Sequence, residues 1–260
     1  MLGTGDLVAL LFENVYYPLI FCLVMRYEIF GDNLQMVIID MDGEKLFGEA
    51  GSMVYMSEGI KMEATARGGI MKGLGRKIFL GESFFMTEFS GKGRIAFAGN
   101  VPGKVIPIDL AEGRDVMAQK DAFLCAQEGV NLEVAFQKKL GSALFGGEGL
   151  IIEKIYGRGH LFLHACGDIK EIELGQGEKV MVDTGSAVAW ESGVDYDIST
   201  VPGIKTALFG GEGIFLTTLK GPGKVWIQSM TLHNLASALE PFLPKQSSGN
   251  QGGVLGGLFR

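Results

Sequence analysis

Leu208-Phe209-Gly210-Gly211-Glu212-Gly213-Ile214-Phe215, then Leu219-Lys220-Gly221-Pro222-Gly223-Lys224-Val225-Trp226-Ile227, is the stretch whose recurrence decides the fold. It stands earlier as Leu144-Phe145-Gly146-Gly147-Glu148-Gly149-Leu150-Ile151 with Ile155-Tyr156-Gly157-Arg158-Gly159-His160-Leu161-Phe162-Leu163. A more divergent copy reads Phe79-Leu80-Gly81-Glu82-Ser83-Phe84-Phe85 with Phe89-Ser90-Gly91-Lys92-Gly93-Arg94-Ile95-Ala96-Phe97. Each glutamate precedes its Gly-x-Gly by nine residues, Glu82 to Gly91, Glu148 to Gly157 and Glu212 to Gly221. Upstream, Gly129 and Gly193 each lie 19 residues before their glutamate and Gly59 lies 23 before Glu82, so the first copy carries four extra residues, placed within Arg67–Gly73. A repeat of about 64 residues, present three times, follows from spacing alone, and a period of that kind marks a chain built from repeated units.

Each copy reads as short strands between turns. The runs Gly213–Leu219 and Lys224–Gln228 are β-branched and aromatic, too short for helices and bounded by glycine, which is a strand signature. The Gly-x-Gly between them reads as a hairpin turn. Helical periodicity enters only at Thr231–Glu240, where Leu232, Leu235 and Leu239 share one face and Pro241 ends the run. The expected organisation is all-β. An N-terminal extension (1–24) precedes a single β domain of three repeats (about 25–110, 111–174 and 175–230), a short C-terminal helix (231–240) and a flexible glycine-rich tail (241–260).

Composition bounds the function. The chain has 260 residues, of which 47% are hydrophobic, 20% charged and 40 glycine. That glycine share is roughly twice the usual one and implies many backbone positions with φ > 0 or close approach. A net charge of −7, from 23 basic and 30 acidic side chains, disfavours nucleic acid, because such binding rests on Lys and Arg displacing counterions. A local basic group at Arg67, Lys72, Arg76 and Lys77 is the one counter-indication. Cys22, Cys125 and Cys166 are odd in number and form no Cys-x-x-Cys pair, which suits a reduced, cytoplasmic setting. The apolar run Leu7–Met25 contains Glu13, Asn14 and Pro18 and follows a start without positive charge, so neither a stable membrane span nor a signal peptide is expected. It reads as a start-site extension or a loosely attached helix.

The paired Leu-Phe-Gly-Gly-Glu-Gly motifs, Gly177-Glu178 with Val182-Asp183-Thr184-Gly185, Val194-Asp195-Tyr196-Asp197, and Gly221–Ser229 together resemble the family of the mitochondrial-biogenesis protein altered inheritance of mitochondria 24. The resemblance spans about Met25 to Leu239, and the first 24 residues depart from it. It implies a fold similar to the tryptophan RNA-binding attenuation protein, with three compact β units per chain of short double-stranded β-helix or sandwich type. It also implies three chains forming a ring of nine units. It carries no enzymatic activity with it.

Candidate chemistry is sparse. Leu-Phe-Gly-Gly-Glu-Gly offers backbone N–H groups as a phosphate cradle would, but a glutamate sits in the loop and a strand pattern, not a helix, follows. Gly91-Lys92-Gly93-Arg94-Ile95-Ala96 matches a dinucleotide fingerprint in letters while lying between strands. His160 and His164 would share a zinc ion on a helix, yet on a strand four residues span about 13 Å. Asp195 and Asp197 fall on one strand face and read as solvated. Ser52 and Ser186 lack the Gly-x-Ser-x-Gly elbow. Glu82, Glu148 and Glu212 are expected to accept hydrogen bonds from turn N–H groups. The repeat motif (Gly81, Glu82, Gly91, Gly93, Gly146, Gly147, Glu148, Gly149, Gly157, Gly159, Gly210, Gly211, Glu212, Gly213, Gly221, Gly223) is read as structural, with no catalytic residue, metal or cofactor assigned. The expectation is a non-catalytic β-ring scaffold, self-associating as a homotrimer, with an unidentified protein or small-molecule partner. A small-ligand or RNA-binding ring is the alternative, and an unrecognised enzyme comes third.

Overall fold

A computed structural model describes residues 25–49, 51–66, 85–110, 114–138, 149–200 and 215–243. In them the chain is mostly strand. The first third holds β1 (Arg26–Phe30), β2 (Met36–Glu49), β3 (Met53–Met56), β4 (Ile60–Ala66) and β5 (Phe85–Ala98). The second holds β6 (Gly103–Asp109), β7 (Val116–Gln119), β8 (Phe123–Gln127), β9 (Val130–Lys138), β10 (Leu150–Gly157) and β11 (His160–Cys166). The last holds β12 (Ile169–Leu174), β13 (Lys179–Asp183), β14 (Ala187–Glu191), β15 (Asp195–Thr200), β16 (Phe215–Lys220), β17 (Gly223–Gln228) and the helix α1 (Leu232–Leu239).

Strand pairing makes the sequence repeat visible as geometry. Six segments, a to f, recur in each third. They are β6 to β11 in the second, β12 to β17 in the third, and the halves of β2, then β3, β4 and the halves of β5 in the first. Segment f pairs with a and c, while e pairs with b and d, always antiparallel. Each unit is therefore two three-stranded sheets, a-f-c and b-e-d. Successive units are joined because b of one pairs with c of the next: Phe47 lies opposite Ala126, and Met117 opposite Trp190.

The cores follow this joint. Val37, Ile39 and Met41 alternate buried along β2, as one-sided burial of a strand requires. The middle cluster takes Ile106, Val116, Ile155 and Leu161 from its own unit, Phe47 and Met86 from the unit before, and Val188, Ala189 and Trp226 from the unit after. The last cluster takes Leu219, Val225 and Trp190 from its own unit and Met117, Leu150 and Ile152 from the unit before.

Two expectations change on contact with the structure. Gly-x-Gly is not a hairpin turn: e and f never pair, and the chain there passes from one sheet of the unit to the other, in β5 as one unbroken strand. Grouped by pairing, the second and third units start at β6 and β12, so the divisions near 111 and 175 move back to about 103 and 169. The expected helix α1 is present, capped by the Thr231 hydroxyl, which accepts from the Asn234 N–H at 3.0 Å, and Leu232, Leu239 and the following Phe242 are exposed. Residues 1–24, the tail from 244, the four-residue insertion and the basic group Arg67, Lys72, Arg76 and Lys77 lie outside the described residues.

Candidate functional site

The repeated glycines gather where e becomes f. Gly157 has φ 113°, and a Cβ there would stand 2.3 Å from the carbonyl oxygen of Gly129. The first unit repeats this, with Gly91 at φ 131° and 2.2 Å from the oxygen of Gly59. Both are backbone-on-backbone approaches that no larger residue fits. The same carbonyls accept hydrogen bonds from the Lys92 and Arg158 N–H groups, at 3.2 and 3.1 Å. In the third unit Gly221 lies against the carbonyl of Gly175 instead. Gly93, Gly159 and Gly223 all have positive φ as well.

A partner to this crossing escaped the motif reading. The residue after the second glycine donates its N–H to a side chain at the end of segment c: Arg94 to Ser57 Oγ (2.9 Å), His160 to Gln127 Oε1 (2.8 Å) and Lys224 to Glu191 Oε2 (3.1 Å). Ser57, Gln127 and Glu191 each stand two residues before Gly59, Gly129 and Gly193, a spacing legible in the sequence. Of the other motif glycines, Gly149 has φ 83°. Gly81, Glu82, Gly146, Gly147, Glu148, Gly210, Gly211, Glu212 and Gly213 lie outside the described residues.

The joints between units form the second candidate. A cleft of about 470 Å³ opens between the second and third units, walled by β6, Arg114, Glu191 and Trp226. On its floor Glu171 accepts from Lys224 Nζ (2.7 Å) and Trp226 Nε1 (2.9 Å). The Lys224 ammonium, with the indole N–H, holds the Glu171 carboxyl below its ordinary range, and the carboxylate holds Lys224 above its own. Between the first and second units the matching place is filled. Tyr27 of β1 meets Phe162 edge-on at 4.9 Å and His160 at 5.6 Å, the counterparts of Trp226 and Lys224.

The remaining candidates separate. His160 and His164 sit along β11, His164 buried against Gly99, and burial pushes its imidazole pKa down. Among the described residues no group of three His, Cys, Asp or Glu is placed to hold a metal. Asp195 and Asp197 lie on the exposed face of β15. Ser52 is buried, its hydroxyl donating to the Glu49 carbonyl at 2.9 Å, and Ser186 ends a 3-10 turn. Cys125 and Cys166 are buried free thiols, both pushed up by burial, which makes them poor nucleophiles. Among the described residues no helix is long and apolar enough to cross a membrane.

A three-unit strand repeat with these glycine crossings can be set beside known proteins. The family described as Mitochondrial biogenesis AIM24 matches residues 27–230. The chain belongs to the AIM24 family. An uncharacterised protein of Streptococcus pyogenes serotype M6, M6_Spy0233, is 31% identical over 236 residues, covering 86% of this chain and 93% of that one. The crystal structure of SPYM3_0169 from Streptococcus pyogenes superposes with a TM-score of 0.67 at 30% identity, covering 84% of this chain and all of that one. The family match starts at Tyr27, the residue that fills the first joint.

Proposed function

We propose that this AIM24-family chain is a non-catalytic scaffold, cytoplasmic, whose three units resemble those of the attenuation protein and whose chains close into a homotrimeric ring. One observation carries the reading: among the described residues, the side chains and glycines at matching places of the three units serve backbone contacts at the e-to-f crossing and form no convergent set of reactive groups. A fold that repeats its architecture and varies its polar positions, with His160 replaced by Arg94 and Lys224 in the other units, is organised for assembly. The buried free thiols suit a reducing compartment.

A second reading, a small-ligand-binding ring, is favoured by the open cleft over Trp226, which falls within the size range of small-molecule sites. Light scattering of the full chain at micromolar concentration tests the ring. About three times 27.9 kDa is expected, and a monodisperse monomer refutes the ring. Native mass spectrometry of the same sample reads the second question: a protein-only mass supports the scaffold, whereas a retained small molecule moves the assignment to the ligand reading.

A further inference from the structure

A strand outside the repeat closes the first joint. β1 pairs antiparallel with the outer edge of the first unit's a segment, setting Tyr27 opposite Ile39 and Ile29 opposite Val37. Ile29 packs on the core that contains Phe162, and the Tyr27 ring packs on Phe162 itself. The strand thus lies beside a of one unit and reaches f of the next. Strand register gives this groove a counterpart one unit later, where Ile108 and Ile106 take the places of Ile39 and Val37, and Trp226 that of Phe162.

The second groove has the same walls without the strand. β6 pairs with β11 on one side, and among the described residues no strand lies along its other edge. That edge looks onto the cleft of about 470 Å³, with Ile106 and Ile108 on one wall and Trp226 on the other, all three in one core cluster. The Val105 N–H donates to Gln35 Oε1 at 3.0 Å, so residue 105 turns its backbone groups away from β11. Because these groups alternate along an antiparallel strand, Pro107 turns its carbonyl the same way, and its nitrogen, lacking a hydrogen, is kept off the β11 ladder. Pro107 is exposed, whereas its counterpart Ile38 beside β1 is half-buried. The donor missing at Pro107 blunts the edge against an arbitrary strand, which leaves selection to side chains. On the floor the Lys224 and Glu171 charges satisfy each other, a surface that suits an apolar side chain better than a charged small molecule.

We infer that this groove takes an extended segment of a partner protein by strand addition to β6. The segment runs antiparallel to β6, as β1 runs to β2, with an aromatic side chain opposite Ile108 and against Trp226, and a branched aliphatic one opposite Ile106. The residue between them donates its N–H to the Pro107 carbonyl. A basic residue before the aromatic lies opposite Asp109, as Arg26 lies opposite Asp40. The inference rests on the scaffold reading, to which it adds a class of partner, and is independent of the ring.

The probe is a fluorescein-labelled synthetic peptide with the sequence of residues 25–32, which contains the strand that fills the equivalent groove, titrated with the full chain. Saturable fluorescence anisotropy is expected. Alanine in place of the peptide's tyrosine, and N-methylation of its glutamate nitrogen, are each expected to weaken binding about tenfold, through the lost ring contact and the lost backbone hydrogen bond. With benzoylphenylalanine in place of the tyrosine, photo-crosslinks located by mass spectrometry are expected on β6 or β17. Capture on β2 instead shows exchange with β1 and overturns the proposal, as does the absence of saturable binding at millimolar peptide. An N-methylated peptide that binds as tightly as its parent, or equal displacement of the labelled peptide by N-acetyltyrosinamide, overturns strand addition and assigns the cleft to a small aromatic ligand. A trimer of protein-only mass that binds no peptide overturns the groove and leaves the scaffold reading standing.

Discussion

Substituting Gly157 by alanine tests whether the repeated Gly-x-Gly is held by close backbone approach. Two costs are combined at this position. The φ of 113° opposes any Cβ, a strain of about 1–2 kcal/mol, and the new methyl would meet the Gly129 oxygen at 2.3 Å, forcing a shift of backbone that costs about 1–3 kcal/mol. The molecule supplies its own controls. Gly43 has φ 107° with nothing within 4 Å of a Cβ, so Gly43→Ala carries the strain alone. Gly129→Ala, whose Cβ would stand 2.5 Å from the Arg158 oxygen at an ordinary φ, carries the approach alone. Gly157→Ala is expected to lose about 2–5 kcal/mol, a fall in Tm of about 5–15 °C for a chain of this size. Guanidinium unfolding followed by circular dichroism measures all three. If Gly157→Ala costs no more than Gly43→Ala, the carbonyl approach is irrelevant and the architectural account of the motif is refuted.

Glu49 is raised to about 7, first by burial and then by Asp121, with Lys120 opposing; its folded-state value thus lies above the unfolded one. The fold then holds this proton more tightly than the unfolded chain does, so its contribution is full below about pH 4.5 and is lost as pH rises towards 7. Because part of the residue remains in solvent, the effect is modest, and Glu49→Gln is expected to flatten the pH dependence of denaturant midpoints between pH 5 and 7; an unchanged slope assigns it elsewhere. At the first joint, Tyr27→Ala removes the ring set edge-on against Phe162 and is expected to cost about 1–2 kcal/mol. A chain beginning at Met25 is expected to keep its melting temperature, since the repeat pattern and the family match account for the chain only from about that point; a large fall on that truncation shows that the preceding apolar run contributes to the fold.

The repeat, its all-β character and the helix at 232–239 were legible because spacing and side-chain period are local properties. The pairing partners were not. Gly-x-Gly between two apolar runs has the letters of a hairpin, and only the long-range pairing of β10 with β7 and β9, and of β11 with β6 and β8, shows that the chain changes sheets there. Ser57, Gln127 and Glu191 were readable in principle from their fixed offset to Gly59, Gly129 and Gly193. They differ in kind, as hydroxyl, amide and carboxylate, and share only an acceptor oxygen. The role of β1 was illegible for a different reason. It has no counterpart in the other units, and Tyr27 finds its place only because Phe162, far along the chain, turns an aromatic edge towards it.

Because b of each unit hands over to c of the next, the repeat seen in the sequence and the piece that can fold alone are different objects. A single excised unit would expose Ile106, Ile108 and Val116 on one side and Leu124 and Cys125 on the other, all of which depend on neighbours for cover. Loss of structure is therefore shared: opening one joint uncovers two cores at once, and the three units melt as one cooperative body. Duplication in such a lineage must also proceed by whole units with their handover intact. A copy gained or lost in register leaves every joint along the chain of the same kind, and changes only how many joints there are.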